Sequence, residues 1–287
     1  MPWARMFERS IMTAATASAL MWFAPARLAA QTASGGTVAP ASQAAQTRVP
    51  RMADGHPDLS GVWWRGADVG GRAAAPAGGR GATPAAGRGP AQRAPSFSGL
   101  YQPSAQARAK TLADKDDPSL DCTPTAFGTL NVSLFDVGAV GQIVQTPVFV
   151  VMLTETYHGF QIIPTDGRPH RDTVPPSYRG DAVGHWEGDT LVVDKTNFID
   201  TNWISAEGRV SFHSDALHIV ERYRRVDAKT LEIEATLEDP KVLTGPWIVP
   251  KQTLQLAPFD QIMELACSGA ETKSLIDAAA QQNPGKN

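Results

Sequence analysis

The chain has 287 residues, enough for one large domain or two small ones, and a formal net charge of −3. Residues 1–30 hold Arg5, Arg9 and Arg27 against Glu8, and 66–95 hold Arg72, Arg80, Arg88 and Arg93 against Asp68, so the rest of the chain carries −8. An acidic body repels a phosphate backbone, which excludes nucleic acid as the expected partner.

Residues 1–30 read as a secretory signal peptide: Arg5 and Arg9, a short apolar run rich in small residues, then Leu28-Ala29-Ala30 as a cleavage site. The apolar run is short for a bilayer span, with an uncleaved anchor as the alternative. No later segment is long and apolar enough to cross a membrane, so the mature chain is expected to be periplasmic or secreted, with no span. Residues 31–56 form an expected disordered tether, poor in large apolar side chains. A single β domain is expected over 57–270. It is interrupted at 66–95 by a Gly/Ala/Pro/Arg-rich flexible insertion that cannot bury a core. Residues 271–287 make a tail with a short helix. The two cysteines, Cys122 and Cys267, bracket the folded body, and export favours a disulfide. It would close a loop of about 145 residues, worth up to roughly 4–5 kcal/mol on a chain-entropy view. With no third cysteine a thiolate zinc site is not expected.

A short helix is expected over 104–115. Beyond Cys122, β-branched and aromatic residues dominate, turns recur, and no helical period appears. Candidate strands are Gly61–Trp64, 141–146, 149–155, 159–164, 183–186, 191–197, 216–226, 231–237, 248–256 and 263–267. Short connections such as Glu187-Gly188-Asp189 and Asp227-Ala228-Lys229 demand antiparallel neighbours. A meander this long tends to close so as to remove its edges. The predicted fold is therefore all-β, an antiparallel meander closed or nearly closed into a barrel. In 231–237, Leu231, Ile233, Ala235 and Leu237 share a dry face, and Glu232, Glu234 and Thr236 a wet one.

Five of the six histidines, His158, His170, His185, His213 and His218, lie between residues 157 and 225. Asp166-Gly167-Arg168-Pro169-His170 reads as a tight turn whose Arg168 pairs with a nearby acid. Alternatively, Arg168 and His170 reach into a barrel mouth and grip an anionic or carbonyl group. His185 and Trp186 are neighbours on a strand and point to opposite faces. Residues 197–215 are too long and too apolar for a plain loop, and read as a packed flap whose Trp203 is either an anchor or a ligand platform. On the next strand His218, Val220, Arg222 and Arg224 share one face, and Ile219, Glu221 and Tyr223 the other. That strand supports an ion-pair ladder with Glu232 and Glu234, or a general base, His213 or His218, oriented by Asp215 or Glu221. The histidine spacing is poor for a metal, and no metal is expected. Nucleophile-elbow, phosphate-loop and dinucleotide signatures are missing, so no cofactor is expected.

Gly61-Val62-Trp63 resembles the opening Gly-x-Trp of lipocalin-like (calycin) barrels. A broader likeness rests on Asp58–Trp63, the Cys122 segment, Ile143–Pro147, Asp166–His170, Gly184–Asp194, His213–His218, Glu221-Arg222 and Asp239–Lys241. In these the chain resembles a largely uncharacterised family of exported bacterial proteins, which brings no activity with it. The expectation is an exported barrel that binds a small, largely apolar or aromatic molecule through Arg168, His170, His185, Trp186, Trp203 and Arg222. The alternatives are a cofactor-independent lyase, isomerase or hydrolase working through His213, Asp215, His218 and Glu221 at the barrel mouth, and a structural envelope protein. The sequence places any site at the end closed by the 197–215 flap.

Overall fold

A computed structural model describes residues 48–65, 95–127, 140–155, 159–204 and 210–263. Among them run nine strands: β1 (Gly61–Trp64), β2 (Val140–Gln145), β3 (Phe149–Thr154), β4 (Phe160–Pro164), β5 (Asp181–Glu187), β6 (Thr190–Thr196), β7 (His218–Arg225), β8 (Thr230–Glu238) and β9 (Trp247–Leu256). Each lies within a few residues of its expected place. Of the tenth expected strand, 263–267, only Met263 is described, and it lies outside any strand; 264–267 lie outside the described residues. So do the expected signal peptide, the stretch 66–94, His158 and the C-terminal tail with its helix. The one α-helix among the described residues, α1 (Pro103–Ala109), is shorter than expected. Pro103 suits its first turn, and the Asp116 carboxylate accepts from the Ala113 amide at 2.8 Å, drawing the chain into a separate 3-10 turn.

The strands form one antiparallel sheet in the order β4-β3-β2-β1-β9-β8-β7-β6-β5. Two meanders, β1 to β4 and β5 to β9, join where β1 pairs with β9 through Trp63↔Leu256 and Trp64↔Gln255. The sheet curls until its edges, β4 and β5, approach, giving a nearly closed barrel. These edges are consecutive in sequence but form no ladder. Gly184 allows the approach: a Cβ there would meet Ile163 Cγ2 at 3.0 Å.

Alternation puts the expected residues inside. On β8, Leu231, Ile233, Ala235 and Leu237 are buried. In one core cluster Trp63 is fully buried, its indole N–H donates to the Leu59 carbonyl at 2.9 Å, and its ring lies under the Arg225 guanidinium. In the other cluster Phe198, Trp203, Ile204 and Phe212 pack with Phe97, Tyr101 and Trp247. Between the two clusters sits a buried ion pair, Lys195 Nζ to Glu221 Oε2 at 2.7 Å, with the Tyr223 hydroxyl donating to the same oxygen at 2.8 Å. Burial lowers the Lys195 pKa, and Glu221 opposes that shift. Removing one member of such a pair costs about 3–5 kcal/mol, because the other charge is stranded.

Of the expected tether, 31–56, residues 48–56 are described and held in place, and 31–47 lie outside the described residues. Arg51 makes a bidentate pair with Asp189 at 2.7 and 2.8 Å, and the His56 ring stacks on Trp186 with centroids 4.5 Å apart. Two specific anchors outweigh the weak composition that suggested disorder. Cys122 ends the 3-10 turn Pro118–Asp121 in the left-handed conformation; Cys267 lies outside the described residues, so their pairing rests on the sequence argument. Among the described residues no helix is long and apolar enough to cross a membrane.

Candidate functional site

The connection between β4 and β5, residues 165–180, folds back over the outside of the seam instead of hydrogen-bonding the two edges together. Its first turn is the expected one: Asp166 accepts from the Arg168 amide and guanidinium, which holds the Asp166 carboxyl down at about 2. His170 then bridges two strands, its Nδ1 3.1 Å from Asp181 on β5 and its Nε2 2.9 Å from Asp194 on β6. The second Asp194 oxygen lies 3.0 Å from His218 Nε2 on β7. Arg171 donates to Asp181 from its amide at 3.1 Å and from Nε at 2.7 Å. Burial works against the Asp181 charge, but the Arg171 and His170 bonds outweigh it and its pKa falls below the ordinary carboxylate range. Asp194 is likewise lowered: its burial is outweighed by His218 and His170. The connection ends at Gly180, whose φ of +71° and 2.5 Å approach of a would-be Cβ to the Thr196 carbonyl admit no other side chain without strain.

Under this strap runs a groove of about 380 Å³. Phe160, Ile162 and Pro164 of β4 supply an apolar wall, and Arg168, Arg171 and Arg179 stand along the connection. Its inner edge is closed by Gln161, whose amide nitrogen donates to the Arg179 carbonyl at 3.0 Å. Arg168 and Arg171 each grip their own aspartate through Nε and Nη2, and neither uses Nη1 in a hydrogen bond. A planar guanidinium held by one edge presents the other to an incoming anion or carbonyl. The groove thus combines oriented donors with an apolar wall.

Scanned against family models, the chain matches none, and it matches neither a curated protein nor a solved structure. The site therefore stands on its own geometry.

The barrel-mouth arrangement is not what the structure forms. His213 is fully buried, 3.0 Å from Asn202 Oδ1 and 2.8 Å from the Ser214 carbonyl. Burial pushes its pKa down, and the Ser214 carbonyl works against that shift. Asp215 is exposed and pairs with Lys241 at 2.6 Å. His218 faces outward to Asp194, and Glu221 faces inward to Lys195. These four residues do not converge on one point. Trp203 is an anchor, 5% exposed, packed in the core cluster beneath the flap. Trp186 packs on the inner core and against His56. His185 is exposed, 3.2 Å from Glu187, and Arg222 pairs with that same Glu187 on the outer face. Of the expected ligand contacts, Arg168 lines the groove and His170 clamps beside it.

Sequence reasoning missed Phe160, Ile162, Arg171, Arg179 and Asp181. A signal was present in Phe160-Gln161-Ile162-Ile163-Pro164: the outward positions are more apolar than Gln161, which points in. A strand with apolar residues on its solvent side marks an unusual surface.

Proposed function

We propose that the protein is an exported barrel that binds a small, largely apolar molecule, and that the binding site is the groove at the β4–β5 seam. The carrying observation is the groove itself, with exposed Phe160 and Ile162 facing two arginines whose Nη1 groups make no hydrogen bond. Concave sites with apolar walls and a few convergent polar groups are the usual form of small-molecule sites. Export, the Cys122–Cys267 disulfide and the resemblance to exported bacterial proteins belong to the same proposal, supported by the sequence motifs. The barrel interior is given to packing, so the site moves from the mouth to the seam.

Mass spectrometry of the protein purified natively from the exported fraction tests this reading. A small molecule should leave with the wild-type chain and be missing from Ile162→Glu, which places a charge on the apolar wall. A molecule retained equally by both would put the site elsewhere; no molecule on either would remove the binding reading.

A further inference from the structure

We infer that the groove's ligand is an anionic amphiphile, with a carboxylate-like head held by Arg168 and Arg171 and an apolar chain running out over β4 and β3. This rests on the reading of the groove as a binding site and adds the class of molecule. Three observations carry it.

First, the apolar wall does not stop at the groove. The antiparallel registers place Ile162 beside Val151 and Val151 beside Val144, while Phe160 lies beside Leu153 and Pro164 beside Phe149. All seven of these residues are outward by alternation, and Phe160, Ile162, Val144 and Phe149 are exposed. An apolar track thus leaves the groove across three strands. A compact ligand would need only the groove; a chain makes use of the track.

Second, the donors lie on the other side of the groove, on the connection that carries Arg168 and Arg171. Their carboxylate partners, Asp166 and Asp181, hold each guanidinium by its Nε–Nη2 edge, so both planes are oriented before a ligand arrives. The aspartates neutralise two charges but do not occupy the Nη1 edges. An anion accepting from these edges makes charge-assisted bonds, which are stronger than neutral ones.

Third, the outward side chains of β2 to β4 contain no acid: they are Val140, Gln142, Val144, Phe149, Val151, Leu153, Phe160, Ile162 and Pro164, and Glu155 just past β3 is buried and accepts from the Met263 amide. In a chain whose body is acidic, this is the part of the wall that an anion approaches with least repulsion.

Titration calorimetry on the full chain tests this with three probes: dodecanoate below its micelle concentration, dodecanol as the same chain without the charge, and acetate as the head alone. Dodecanoate should bind roughly tenfold or more tightly than dodecanol, in line with a charge-assisted bond, and acetate should give no measurable heat. Arg168→Gln should weaken dodecanoate toward the dodecanol value and leave dodecanol unchanged. Ile162→Glu should weaken both. Circular dichroism melts check that each variant folds, and Arg224→Gln on the outer face of β7, outside the groove lining, serves as a control that should change nothing. Equal binding of dodecanoate and dodecanol, or an Arg168→Gln chain that binds like wild type, overturns the anionic head and leaves the groove reading standing. If vesicles of anionic phospholipid retain the protein while monomeric dodecanoate does not bind, the face docks on a bilayer and the single-molecule proposal is overturned. If neither amphiphile binds, the track has no such occupant and this inference falls, whereas the groove reading falls if native material carries no ligand or if Ile162→Glu retains it as well as wild type does.

Discussion

The two halves of the barrel wall solve the same problem differently on their solvent side. The outer face of β5 to β9 is a lattice of charges. Arg224 and Lys251 both pair with Glu232, Lys251 reaches Glu234, Arg222 holds Glu187, and His218 meets Asp194. The outer face of β2 to β4 has no such lattice and leaves Val144, Phe149, Phe160 and Ile162 in water. Inside, the β5–β9 half carries the buried Lys195–Glu221 pair, and the β2–β4 half contributes the uncharged Gln145 and Gln161. Ile248 is the large apolar side chain that β9 leaves exposed on the charged half, whereas the contiguous apolar exterior lies on β2 to β4. A patch of that kind on an otherwise charged molecule marks an interaction site.

The largest effect that would sharpen this contrast lies inside. Glu221→Gln should destabilise the chain by about 3–5 kcal/mol in urea unfolding, since it strands the Lys195 charge. A Lys195→Met/Glu221→Leu double variant should recover most of that loss. If Glu221→Gln is neutral, Glu221 is not what stabilises the buried Lys195 charge.

Next comes the clamp that ties the β4–β5 connection to β5 and β6. Asp181→Asn weakens the bonds from His170 and Arg171 and should cost about 1–3 kcal/mol. It should also flatten the acid limb of stability. Asp181 and Asp194 titrate below their ordinary range in the folded chain, so folding favours their ionised forms. That stabilisation is complete above the unfolded carboxylate pKa of about 3.9 and is lost as pH falls through the lower folded values. Unfolding midpoints measured from about pH 5 downward should fall less steeply in the variant; parallel curves would remove the clamp from the account.

The smallest expected effects compare the two outer faces directly. Arg224→Gln breaks an exposed pair and should change stability by less than about 1 kcal/mol. Ile162→Glu is also a surface change, within about ±0.5 kcal/mol, yet it should abolish ligand retention while Arg224→Gln should not. Equal ligand loss in both would erase the functional difference between the faces.

Much of the wall was legible in the sequence, because strand alternation is a local signal. Leu231 to Leu237 placed one dry face, and the division of His218 and Arg222 from Glu221 and Tyr223 held in the folded barrel. The opposition of His185 and Trp186 held as well. The site was not legible, because it depends on where the sheet fails to close. Nothing local to Arg171 or Asp181 tells that they meet, and His170 finds Asp194 only once β6 lies beside β5. The histidine-rich stretch drew attention to the flap, whose Trp203 and His213 are unusual because they are buried.

Hydrogen–deuterium exchange of the full chain with and without dodecanoate tests the central claim, that the ligand sits at the seam. Ligand should slow exchange in 160–164 and 177–183 and leave 218–238 unchanged. Protection confined to 197–217, with none along β4, would return the site to the flap and contradict the account.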